Sequence, residues 1–266
     1  MIDTSRSRED RWRSRERMVE TMIVPPKGGA IIVRVDGRAF HTLTRRMEKP
    51  FDTRMTDAMD SAAYAMAKAM PSVVATYTQS DEISAIIAIP EQDRPIRQEE
   101  VIPFAGRVQK LASVMASAAA AGFARSMPDA PGLAVFDGRV IKARSPEEVH
   151  DYLDWRIADS RKNAISAAAV ARFGHKSLLN VPTKRRAAML EEEGITIAPD
   201  DLYGRLLRKV TMTRPTTFVR DGVTHTQTCE RNVWESVPAT PENVDDLVRK
   251  LTTQKKDEAC GDEQED

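Results

Sequence analysis

The sequence predicts an α+β fold: an antiparallel sheet in βαββαβ order with helices on one face, then a helical extension carrying a β-hairpin. Three observations predict it. Short β-branched runs near residues 30–36, 73–78 and 83–89 are bounded by turn residues. Two Ala- and Met-rich stretches of helical period, 52–69 and 103–126, fall between and after them. A strong helix-start signal at Ser145–Pro146–Glu147–Glu148 then opens the C-terminal half.

Taken in order, residues 6–22 alternate Arg with acids and small apolar positions, which suggests an exposed N-terminal helix or arm. Ala30 to Val35 is a Gly-bounded buried strand that ends at Asp36–Gly37. From Asp52 to Ala69, the spacing of Met55, Ala58, Met59, Ala62, Ala63, Met66 and Ala69 forms one apolar helical face, and Pro71 stops it. Val73–Thr78 and Ile83–Ile89 are two strands joined through Gln79, Ser80, Asp81 and Glu82. A long helix is expected from about Pro103 to Ser126, then a strand or hairpin from Leu133–Phe136 and Val140–Ile141 around Asp137–Gly138. The helix begun at Ser145 runs to Arg172, with Gly174 beyond it. Shorter helices are expected at Thr183–Glu192 and Pro199–Leu207, and a hairpin pairs Phe218–Arg220 with Val223–Thr228 around Asp221–Gly222. This divides the chain into an Arg-rich arm (1–29), a catalytic core (30–145), a helical and hairpin extension (146–235) and a C-terminal segment with an acidic, disordered tail (236–266).

Composition excludes several classes. No apolar run reaches the roughly 18 residues needed to span a bilayer, and the Arg-rich start lacks a signal-peptide core, so a cytoplasmic protein without a membrane partner is expected. Cys229 and Cys260 are too few for a disulfide framework, and four histidines without close Cys/His spacing give no zinc site. The net charge of zero conceals an asymmetry: residues 257–266 hold six acids and no base, which leaves +6 on residues 1–256. Between Arg161 and Arg220, twelve Lys/Arg face five Asp/Glu, a local excess of seven. That excess suits an anionic polymer bound in a salt-sensitive way, although charge alone equally describes a solvated helical face.

The order βαββαβ is the ferredoxin-like arrangement. In it the first and third strands are adjacent and antiparallel, so the end of the first lies beside the start of the third. Asp36 occupies one position and Asp81 the other. An Asp-Gly pair, or Ser-Asp-Glu in a hairpin, is by itself ordinary turn chemistry. It is the convergence of Asp36 and Asp81 that points to Mg²⁺, a hard cation satisfied by one or two carboxylates, water and phosphate oxygens. Two such ions would activate an attacking hydroxyl and stabilise a leaving oxygen. Gly37 lets a triphosphate approach closely, and its carbonyl is a further candidate metal ligand. Successive amides of Gly37, Arg38, Ala39, Phe40 and His41 offer a phosphate nest, with Arg38 and Lys49 as charges beside it. Glu82 is either a third acid of the site or a solvated one.

The strings VRVDGRAFH (33–41), KPFD (49–52) and YTQSDEIS (77–84) resemble the tRNA(His) guanylyltransferase family, including its 3′–5′ polymerase branch; NAISAAAVARFGHKSL (163–178) and LLRKV (206–210) agree. The resemblance spans about residues 30–235. It implies a polymerase- or cyclase-like palm that extends RNA at its 5′ end. A 5′-monophosphorylated tRNA is activated with ATP (or GTP when a triphosphate is handled), and the 3′-hydroxyl of an incoming nucleotide attacks that end. Carried over, Asp36, Gly37 and Asp81 would ligate two Mg²⁺ ions. Residues Asp36 to His41, Ser80 and Asp81 would bind the nucleotide, Lys49 would contact phosphate, and Asp52 would face the base. Arg161, Lys162, Asn163, His175 and Lys176 are candidates for RNA contact. The family's tetramers imply a homo-oligomer. The stretch Arg161–Ala167 departs from the eukaryotic His-Ile-Asn-Asn-Leu-Tyr-Asn block, keeping only Asn163, and matches the bacterial and archaeal branch. Templated 5′-end repair is therefore favoured over untemplated G addition to tRNA(His).

Two other classes share parts of this pattern. A palm-type nucleotide cyclase also places an Asp after the first strand, but Gly28–Gly29 precedes the wrong strand for its glycine signature and no Gly-Gly precedes Asp81. A non-catalytic RNA-binding module gains nothing from acids clustered near phosphate.

Overall fold

In the computed structural model, which describes residues 7–90, 102–220 and 223–253, six strands form one antiparallel sheet. They are β1 (Ala30–Gly37), β2 (Val73–Gln79), β3 (Glu82–Ala88), β4 (Phe136–Ala143), β5 (Arg205–Arg220) and β6 (Val223–Pro238), in the order β4-β1-β3-β2-β5-β6. The helices are α1 (Arg8–Met18), α2 (Phe40–Leu43), α3 (Thr53–Ala69), α4 (Val108–Ser126), α5 (Pro146–Phe173), α6 (Thr183–Glu192), α7 (Pro199–Tyr203) and α8 (Pro241–Thr253). The α+β palm is the fold the sequence predicts. β1 lies between β3 and β4, with Asp36 opposite Glu82 on one side and Asp137 on the other.

The run Ala30–Val35 is apolar at nearly every position because both faces of the sheet are covered. Ile31, Val33 and Val35 pack under α3 and α4, where Phe40, Phe123 and Phe136 meet with ring centroids 5.1–6.3 Å apart. Gly122 lets α4 approach α3: a Cβ there would lie 2.7 Å from the Ser61 carbonyl oxygen. Ile32, Tyr77 and Ile86 face the other way, against Val149 and Leu153 of α5 and Val244 and Leu247 of α8. The expected helices on one face are thus α3 and α4, and the C-terminal half closes the second face. A smaller cluster of Ala168, Ala169, Leu178 and Leu190 joins the end of α5 to α6.

Several expectations change. Of the strand or hairpin expected around Asp137–Gly138, the structure has the strand, β4, which is continuous. Gly138 pairs with Val35, and a Cβ on it would lie 2.8 Å from the Ala112 carbonyl oxygen of α4, so this glycine serves helix-to-strand approach and not a turn. The helix expected from Pro103 starts at Val108, because Phe104 and Ala105 have φ of 55° and 53° in a short 3₁₀ turn. The helix expected over Pro199–Leu207 stops at Tyr203. Gly204, at φ +77°, turns the chain, and Leu206 is buried in β5 instead. The short hairpin is in fact two 16-residue strands, and β5 pairs with β2 from Thr78↔Arg205 to Ala75↔Arg208, so it extends the same sheet. Asp221–Gly222 and the acidic tail lie outside the described residues. After α1, the strap ties back onto the start of α4: Val108 N–H donates to the Thr21 carbonyl (2.9 Å) and Ile23 N–H to that of Gly106 (2.8 Å).

Candidate active site

At the end of β1 the Gly37 N–H donates to the Asp81 carbonyl at 2.9 Å, so Asp36 and Asp81 meet at one sheet edge. Burial pushes the Asp81 carboxyl above its ordinary range, and the neighbouring Asp36 charge adds to this; its own backbone N–H and the Ser80 hydroxyl, 3.1 Å away, oppose it. Asp36 is half-exposed and faces the Arg139 guanidinium at 3.6 Å. Beyond it a bare backbone is required, since a Cβ on Gly37 would lie 2.5 Å from the Phe40 ring. Ala39 then turns left-handed (φ 58°) into α2, whose buried Phe40 anchors the loop in the core.

This loop modifies the expected phosphate nest. The amides of Gly37 and Arg38 already donate to the carbonyls of Asp81 and Val135. The N–H groups of Ala39, Phe40 and His41 make no hydrogen bond among the described residues and are the ones left for an anion.

A cavity of about 400 Å³ opens beside this edge. Of the expected site residues, Phe40, His41, Lys49, Asp52, Ser80, Asp81 and Asn163 line it, while Asp36, Gly37, Arg38 and Ala39 form the adjoining strand end. Asp52 accepts hydrogen bonds from the Glu48 N–H (2.9 Å), the Arg54 N–H (3.0 Å) and both sides of the Arg54 guanidinium (3.0 and 2.6 Å). The Arg54 side chain, helped by those two N–H groups, holds this carboxyl far below the usual range despite burial, so Asp52 caps α3 and closes the 48–52 loop. Lys49 is exposed and donates to the Thr44 carbonyl at 3.2 Å. Arg161, Lys162, His175 and Lys176 are exposed and lie outside the cavity, with Arg161 over the Tyr203 ring at 5.4 Å.

Glu82 is neither a third acid of the site nor solvated. It is buried and paired with Arg156 of α5 through bonds of 2.8 and 2.9 Å, with Arg34 3.9 Å away. Burial raises its pKa, and the Arg156 charge works against that rise. Sequence reasoning missed Gln79, Ser160, Asp200, Asp201 and Arg205, which also line the cavity. Only Gln79, inside the Gln-Ser-Asp-Glu turn, carried a local signal; the others arrive from α5, α7 and β5.

Among the described residues no group of three His, Cys, Asp or Glu converges. The donor set at the sheet edge is therefore two carboxylates and backbone carbonyls, which fits an oxygen-seeking Mg²⁺ completed by water and phosphate. The Asp81 carboxyl, raised mainly by burial and further by the Asp36 charge, fits too, since a cation there would offset both costs of its charged form.

Comparisons with known proteins place the chain in a family. A family model described as tRNAHis guanylyltransferase matches residues 12–144. A probable tRNA(His) guanylyltransferase of Drosophila melanogaster is 31% identical over 140 residues, which cover 50% of this chain and 46% of that protein. The Schizosaccharomyces pombe tRNA(His) guanylyltransferase is 31% identical over 140 residues, covering 50% of each chain. The chain thus spans about half the length of these curated relatives. Among solved structures, a bacterial tRNA(His) guanylyltransferase (Thg1)-like protein in complex with ATP matches at TM-score 0.73 and 31% identity, covering 92% of this chain and 98% of that one. The Saccharomyces cerevisiae enzyme, at 22% identity and TM-score 0.58, supports the fold. Among the described residues no helix is long and apolar enough to cross a membrane. With half of its length matched by the family model and nearly all of it aligned to the bacterial structure, the chain belongs to the tRNA(His) guanylyltransferase family.

Proposed function

We propose that this chain is a metal-dependent nucleotidyltransferase that adds nucleotides in the 3′–5′ direction to the 5′ end of a tRNA, with templated 5′-end repair as its reaction. The observation that carries the reading is the convergence of Asp36 and Asp81 through the Gly37–Asp81 hydrogen bond at the mouth of a nucleotide-sized cavity. The names of two bacterial relatives, solved in complex with ATP and with GTP, support nucleoside triphosphates as substrates. Their near full-length match favours the bacterial mode over untemplated G addition.

In this reading Asp36, Asp81 and the Gly37 carbonyl hold two Mg²⁺ ions, which when bound polarise phosphate and lower the pKa of the attacking 3′-hydroxyl. The free amides of Ala39, Phe40 and His41, with Lys49, orient the triphosphate. Apolar walls from Met47, Phe51 and Met55 exclude water from one side. Lys162, Lys176 and Lys184 are exposed and make no ion pair among the described residues, so they remain for the tRNA backbone. Other bases of the 161–220 excess are engaged internally: Arg172, Arg185, Arg205 and Arg208 pair with Glu193, Glu192, Asp60 and Asp246.

The test is incubation with a tRNA lacking its 5′ nucleotide, labelled nucleoside triphosphates and Mg²⁺. Incorporation of the nucleotide complementary to the facing base is expected. Label only from GTP, whatever the facing base, would replace repair by G addition. A cyclic nucleotide product or no incorporation would sink the proposal.

A further inference from the structure

One largely buried polar side chain in the cavity lining has no hydrogen-bond partner among the described residues. Gln79, the last residue of β2, is 4% exposed and lines the cavity, yet its carboxamide makes no hydrogen bond to any described residue. Three neighbouring side chains are engaged. Tyr77 donates to the Tyr203 carbonyl at 2.9 Å, Ser80 to the Asp81 carboxylate at 3.1 Å, and Glu82, opposite Gln79 in the ladder, is held by Arg156. The side chain is largely buried and its carboxamide opens only to the cavity, so a water or a ligand there is what completes it.

Position narrows the ligand. Gln79 is two residues from Asp81, so their Cα atoms are at most about 7.6 Å apart. On its other side, Thr78 pairs with Arg205, at the end of the cavity formed by α7 and Gly204. A triphosphate held at Asp36 and Asp81 places its sugar one group further into the cavity and its base beyond. Gln79, one group's length from Asp81, is within reach of that sugar. A carboxamide both donates and accepts, which matches a hydroxyl, itself donor and acceptor.

We infer that Gln79 hydrogen-bonds the ribose hydroxyl edge of the bound nucleoside triphosphate and sets the preference for ribose over deoxyribose. This rests on the nucleotidyl-transfer reading above. The test is titration of the full chain, with Mg²⁺, by ATP, 2′-deoxy-ATP and 3′-deoxy-ATP, in wild type, Gln79→Met and Gln79→Ala. Methionine keeps the length and removes the polar head; alanine is read if methionine disturbs folding. One neutral hydrogen bond corresponds to about three- to tenfold in affinity. Wild type is expected to prefer ATP over at least one deoxy form by that factor, and both variants to bind ATP and that deoxy form equally. A ribose preference unchanged in the variants overturns the assignment to Gln79 alone. So does a wild type that binds all three equally, or an equal loss of affinity for all three. Wild type that binds no triphosphate overturns the underlying reading as well.

Discussion

Gly37 and Asp81 are joined by a single backbone hydrogen bond of 2.9 Å, and that bond places two acids 45 positions apart in sequence at one sheet edge. Neither acid is within the other's local context. β-ladder register, not side-chain attraction, brings them together, since two carboxylates left alone would separate.

Replacing either acid should therefore remove activity without removing the fold. Asp36→Ala and Asp81→Ala are each expected to lower nucleotide incorporation by at least about 10²-fold. Asp81→Asn should leave the circular dichroism spectrum unchanged and abolish any rise in Tm caused by Mg²⁺. Near-normal turnover in either alanine variant would refute the two-metal assignment.

Arg156 should be structural and costly to lose. Both partners of the Glu82–Arg156 pair have side chains only 8% exposed. Arg156→Ala strips the buried Glu82 carboxylate of both its hydrogen bonds, leaving only Arg34 at 3.9 Å, and is expected to destabilise the protein by about 3 kcal/mol. The double variant Glu82→Gln/Arg156→Met should recover part of that loss. Urea denaturation measures both, and a single-variant loss below about 1 kcal/mol would contradict the pairing.

Docking of α8 should depend on pH. His150 of α5 lies 2.8 Å from Asp245 of α8 and 3.1 Å from Asp154. The hydrogen bond to Asp245 raises its pKa above 6.5. Because the folded value exceeds the unfolded one, the stabilisation is fully present below about pH 6.5 and is lost as pH rises through the raised value. His150→Gln should flatten that part of a stability-versus-pH curve. An identical slope in the variant would remove His150 as its source.

Binding to tRNA should weaken with salt. Lys162→Ala and Lys184→Ala are expected to lower affinity for any tRNA alike, each reducing the slope of log K against log salt by about one. An unchanged slope in both variants would move the RNA surface elsewhere.

Much of the fold was legible because its signals are local. The apolar spacing from Met55 to Ala69 is a helix of period 3.6, and Ser145–Pro146 starts α5 where the structure has it. Around Gly138 the sequence left strand and hairpin both open, because Asp-Gly is normally a turn. What overrides that is the α4 backbone lying against it, which no pattern within ten residues records. The short strands expected after residue 205 grew to 16 residues because their pairing with each other and with β2 supplies stability that local propensity does not.

The sequence by itself determined the strand-end acids Asp36 and Asp81, their flanking glycine and the family they signal, because strand order alone makes β1 and β3 neighbours. Tertiary structure decided what surrounds them. It pairs Glu82 with Arg156 across 74 positions, brings Asp200, Asp201 and Arg205 to the cavity, and leaves Gln79 without a partner among the described residues. Those outcomes depend on which side chains meet across long loops, and packing chooses among such contacts only when the whole core is assembled.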